Sequence, residues 1–111
     1  DDVYVNLEEP RDYVIDGVLH FVWRANKSVE PPCRFWIKVW REGEPPKVIK
    51  TNDSLKWNGA AYAMDVYLHL TMPPDEQYGT FYWTVELGME DSSSDPIPTH
   101  GAPLKFDWDP R

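Results

Sequence analysis

Few side chains in this sequence could do chemistry, and they are scattered. Histidines stand at positions 20, 69 and 100, and Cys33 is the one cysteine. Nucleophilic catalysis needs a nucleophile, a base within reach and a group that orients the base. Cys33 follows Pro31-Pro32 with no histidine nearby in sequence, and no Gly-x-Ser-x-Gly elbow occurs. A single cysteine excludes an internal disulfide and a four-cysteine zinc site. Glu90, Asp91 and Asp95 offer oxygens of the kind calcium takes in numbers of about six to eight, but not at EF-hand spacing. They read as a solvated acidic loop. Gly-x-Gly-x-x-Gly and Walker-type phosphate cradles are absent. Asn26-Lys27-Ser28 and Asn52-Asp53-Ser54 fit the glycosylation pattern, which arises easily by chance. The expectation is a chain that is not an enzyme and needs no metal or cofactor.

The remaining candidates are aromatic. Arg34-Phe35-Trp36-Ile37-Lys38-Val39-Trp40-Arg41 alternates at period two, the periodicity of a strand. Phe35, Ile37 and Val39 fall on one face, which reads as core. Trp36, Lys38 and Trp40 fall on the other. Aromatic faces with a few polar groups suit sugar rings and protein partners alike. The competing reading is that Lys38 or other long side chains lie over the indoles and shelter them.

The elements that must position these residues follow from the same alternation. Eleven prolines punctuate the 111 residues and leave little room for helices. Between them lie runs of Val, Tyr, Phe and Trp, which fit a pleated, half-buried surface. The pattern predicts strands over Val3–Leu7, Val18–Arg24, Phe35–Glu42, Lys47–Thr51, Ala63–Leu70, Thr80–Leu87 and Leu104–Trp108. Leu19, Phe21 and Trp23 share an inward phase. So do Met64, Val66, Leu68 and Leu70, then Phe81, Trp83, Val85 and Leu87, then Leu104, Phe106 and Trp108. Seven short strands with regular turn signals predict an all-β, seven-stranded antiparallel sandwich.

The length is that of one domain spanning 1–111, large enough to bury a core unaided. A hydrophobic content of 41% argues against disorder. No apolar run reaches the roughly 18 residues of a membrane helix, so membrane insertion by this segment is not expected. The net charge of −8 repels phosphate backbones, so nucleic acid is not an expected partner. Asp1-Asp2 opens no signal-peptide pattern, and the chain reads as a segment of a larger protein.

Leu19-x-Phe21-x-Trp23 resembles the second strand of fibronectin type III domains, and Gly79-Thr80-Phe81-Tyr82-Trp83-Thr84-Val85 resembles their sixth. The chain thus resembles a fibronectin type III-like or immunoglobulin-like domain. It is also similar to repeated sandwich modules of large bacterial proteins. There, Leu7-x-x-Pro10, Phe35-x-Ile37-x-Val39-Trp40-Arg41 and the closing Phe106-x-Trp108 have counterparts. Antibody-type cysteines on strands two and six are absent. The resemblance implies that strands three, four, six and seven share a sheet, with Trp36, Lys38 and Trp40 beside Tyr82, Thr84 and Glu86 on its outer surface. It implies a non-catalytic spacer or protein-interaction module, in the extracellular space or cell envelope. Its partners would be neighbouring domains or another protein, with carbohydrate as the alternative.

Overall fold

The computed structural model describes residues 2–52, 55–67, 72–90 and 95–110. Its strands are β1 (Val5–Glu9), β2 (Asp12–Val14), β3 (Leu19–Ala25), β4 (Cys33–Arg41), β5 (Lys47–Lys50), β6 (Lys56–Trp57), β7 (Tyr62–Val66), β8 (Gly79–Met89), β9 (Ile97–Pro98) and β10 (Leu104–Trp108). A 3-10 turn covers Pro74–Glu76. One sheet runs β1-β3-β7-β6. The other runs β2-β10-β8-β4-β5, with β9 added alongside β8. The result is an all-β, two-sheet fold compatible with a β-sandwich. Among the described residues no helix is long and apolar enough to cross a membrane.

Among the described residues the seven expected strands are joined by three more, β2, β6 and β9, which hold only two or three residues each. The expectation of uniformly antiparallel pairing is corrected. β2 pairs with β10 in parallel, with Asp12 opposite Phe106 and Val14 opposite Trp108. Parallel pairing is possible here because a long excursion through the rest of the chain separates the two strands. The fifth expected strand corresponds to β7, which covers Tyr62–Val66. Leu68, His69 and Leu70 of that expectation lie outside the described residues, as do Asp53, Ser54 and Asp91.

The inward phases give the core. Leu19, Phe21 and Trp23 from one sheet meet Phe35, Ile37, Val39, Phe81, Trp83, Val85 and Phe106 from the other, all buried. Rings bridge the two sheets. Phe21 stands edge-on to Trp83 at 4.9 Å, and Trp23 edge-on to Phe35 at 5.7 Å. Such pairs contribute about 0.5–1.5 kcal/mol each beyond the area they bury. Two indoles anchor the connections as well. Trp83 Nε1 donates to the Pro10 carbonyl at 2.8 Å, and Trp108 Nε1 donates to the Asp16 carbonyl at 2.7 Å.

The long axis is set by β8, whose eleven residues span about 36 Å at ~3.3 Å each, beside a long extent of 40 Å. Val5 pairs with Ala25 and Cys33 pairs with Met89 at one end. Trp108 pairs with Gly79 at the other. The chain therefore enters β1 at one end of the molecule and leaves β10 at the opposite end.

Candidate interaction face of the six-stranded sheet

The antiparallel register of β4 and β8 places the expected residues in rows. Trp36 lies opposite Glu86, Lys38 opposite Thr84, and Trp40 opposite Tyr82. All six side chains share the outer face of the sheet, because their neighbours Phe35, Ile37, Val39, Phe81, Trp83 and Val85 fill the inner one. β5 extends the rows, with Lys50 opposite Trp36 and Val48 opposite Lys38.

Trp40 and Tyr82 stack at 5.9 Å with their planes 19° apart, and both are half-buried. The Tyr82 hydroxyl reaches Glu42 Oε1 at 3.3 Å. Lys38 Nζ stands 3.6 Å from Glu86 Oε2. Glu86 is 7% exposed, so its carboxylate depends on that ammonium for compensation. Thr84 is half-buried beside Lys38.

Trp36 corrects the expectation of an indole facing water, since it is 4% exposed. Its phase is outward, but its neighbours cover the ring. On one side the ring lies on Gly88, where a Cβ would come within 2.3 Å of Trp36 Cε2. Over the ring sits Lys50, its ammonium 4.8 Å from the centroid. Trp36 and Trp40 therefore form no continuous aromatic stripe, and Lys38 and Thr84 occupy the row between them. Shelter by long side chains holds for Trp36, with Lys50 supplying it.

Sequence reasoning missed Gly88 and Lys50. A signal for Gly88 is present in the chain. It continues the outward phase of Tyr82, Thr84 and Glu86, so a glycine there leaves a gap on the outer face that a ring can fill. Glycine is also a common opener of loops, and that meaning hides the first.

Beyond this row a cleft of about 250 Å³ opens, lined by Arg34, Trp36, Lys50, Thr51, Asn52 and Glu90. Arg34 Nη2 pairs with Glu90 Oε1 at 2.9 Å, and the buried Thr51 hydroxyl donates to the Phe35 carbonyl at 2.6 Å. A second cleft of about 270 Å³ adjoins it across Arg34 and Asn52, with Val29, Pro31, Leu55 and Tyr62 in its wall. Cys33 lines this second cleft.

The other candidates for chemistry stand apart from this face and from one another. His20 lies on the outer face of the four-stranded sheet, with Nδ1 2.5 Å from Asp65 Oδ1 and Nε2 3.8 Å from Asp16 Oδ2. These carboxylates raise its pKa above the ordinary 6.5, chiefly through the hydrogen bond to Asp65. His100 stacks on Tyr4 at 4.7 Å, with Nε2 3.5 Å from Asp2. Asn26 of the first glycosylation pattern accepts a hydrogen bond from the Tyr4 amide at 2.9 Å. Among the described residues no group of three His, Cys, Asp or Glu side chains is placed to hold a metal ion. No protein-family model matches the chain, and no curated protein matches it.

Proposed function

We propose that this chain is a non-catalytic module of fibronectin type III or immunoglobulin type, which spaces and docks neighbouring domains of a larger extracellular or envelope protein. The observation that carries this reading is the path of the chain, in at one end of a 40 Å body and out at the other. A domain threaded this way holds its two flanking neighbours apart by its own length. The strand order supports the same reading. β1-β3-β7-β6 follows the A-B-E-D order of immunoglobulin sheets, and β10-β8-β4-β5 follows G-F-C extended by one strand. The short Leu-x-Phe-x-Trp and Gly-x-Phe-Tyr-Trp motifs fall on β3 and β8, one in each sheet, which is compatible with this reading.

Two copies joined in one chain test the spacer. Small-angle scattering should give an elongated particle with a maximum dimension about twice the 40 Å extent of one copy. A folded-back pair, little longer than one copy, would reject it. The carbohydrate alternative rests on Trp40, since Gly88 and Lys50 cover Trp36 and leave it 4% exposed. Glycan-array binding lost in Trp40→Ala would favour that alternative over a spacer.

A further inference from the structure

β4 and β5 hold Arg34, Lys38, Arg41, Lys47 and Lys50 and not one acidic residue, in a chain whose net charge is −8. Lys38 and Arg34 are compensated by Glu86 and Glu90. Lys47 and Lys50 make no ion pair among the described residues. Both lie on β5, the last strand of its sheet, which among the described residues pairs with β4 on one side only. An edge strand presents unpaired backbone N–H and C=O groups that can template another strand. On the outer face Val48, 45% exposed, precedes Lys50 by two positions, and the cleft of about 250 Å³ opens beside Lys50.

We propose that the β5 edge receives an extended acidic peptide segment of a protein partner as an added strand. This rests on reading the chain as an interaction module and names the chemistry of its partner. Backbone hydrogen bonds to β5 would supply affinity, and alternate side chains would supply specificity. The pattern on β5 dictates the complement. One outward side chain of the peptide is apolar and packs on Val48. The outward side chain two positions away is a carboxylate, which meets Lys50 at the mouth of the cleft. Charge also selects against the commonest wrong partner. The β5 edge of a second copy brings the same lysines and is repelled, while an acidic strand is attracted.

The test uses the full chain with a synthetic peptide whose same-face positions alternate valine and glutamate, with threonine between them (Val-Thr-Glu-Thr-Val-Thr-Glu), and the same peptide with lysine for glutamate as control. Calorimetry should detect binding of the first only, weakening as salt rises. Hydrogen exchange should slow at outward-pointing amides within Lys47–Lys50. Lys50→Glu should weaken the acidic peptide about tenfold and admit the basic one. Val48→Pro, on the exposed edge, should abolish binding while leaving the melting curve near that of the wild type. Equal binding of both peptides, no binding of either, or binding without protection of the β5 amides would each overturn the proposal. So would capture of an acidic oligosaccharide in the cleft with the β5 amides unchanged. None of these results alters the scattering of the two-copy chain, so the spacer reading stands or falls separately.

Discussion

Trp36 rests on Gly88, and the contact leaves no space for a methyl group. A Cβ at residue 88 would sit 2.3 Å from Cε2 and 2.4 Å from Cδ2 of the indole. Gly88 adopts no backbone conformation reserved for glycine, so what the position demands is the absence of a side chain. Gly88→Ala should lift the ring off β8 and cost about 1–3 kcal/mol, the usual range for overpacking. A lowered denaturation midpoint and a red-shifted tryptophan emission would register the ring's move toward water. An unchanged midpoint would mean that the ring turns aside freely.

Two buried indoles of the core differ in one respect that mutation can read. Trp83 Nε1 donates to Pro10 at 2.8 Å, whereas Trp23 Nε1 is buried with no hydrogen-bond partner among the described residues. Replacing either by phenylalanine removes volume. Trp83→Phe also strands the Pro10 carbonyl, while Trp23→Phe removes an unsatisfied donor. Leaving a buried polar group unpaired costs about 1–3 kcal/mol. Trp83→Phe should therefore be the more damaging of the two by about that amount in chemical denaturation. Truncation to alanine at Trp23 should cost about 3–5 kcal/mol through the cavity it opens between the sheets.

What the sequence made legible was phase. Period-two alternation placed Leu19, Phe21 and Trp23 inside, and likewise Phe81, Trp83, Val85, Phe106 and Trp108, because successive side chains of a strand point to alternate faces. The edges were less legible. β2 contributes only Asp12, Tyr13 and Val14, too few to alternate detectably, and it is held by pairing with a strand more than ninety residues later. β6 and β9 are two residues long, and β9 contains a proline. The outer face was legible in phase but not in exposure. Whether Trp36 meets water depends on Gly88 and Lys50, which reach it across strand pairs rather than along the chain. Glu86 shows the same limit, since only the register with β4 reveals that Lys38 reaches its nearly buried carboxylate.

The Lys38–Glu86 pair predicts a non-additive double mutant. The side chain of Glu86 is 10% exposed and that of Lys38 is 32% exposed, with 3.6 Å between the charges. Removing the ammonium in Lys38→Met leaves a carboxylate with little water around it. The cost should be about 1–2 kcal/mol, below the range of a fully buried pair because Lys38 keeps part of its hydration. Adding Glu86→Gln should recover much of that loss, since the amide needs no counter-charge. Strict additivity of the two substitutions in a denaturation cycle would show that the charges are not coupled.

His20 makes stability depend on pH in a defined direction. Its imidazole shares a hydrogen bond with Asp65 and lies within reach of Asp16, and both interactions favour the protonated ring. The folded pKa is therefore raised above the ordinary 6.5. Folding then binds a proton more tightly than the unfolded chain does. The stabilisation is complete below the unfolded value and fades as pH rises through the folded one. The melting temperature of the wild type should exceed that of His20→Gln most at about pH 5, and the gap should narrow toward about pH 8. Asp65→Asn should remove most of this dependence and Asp16→Asn less, because the hydrogen bond to Asp65 is the largest cause of the shift. A gap that stays flat, or widens as pH rises, would show that the aspartates do not hold the proton on His20.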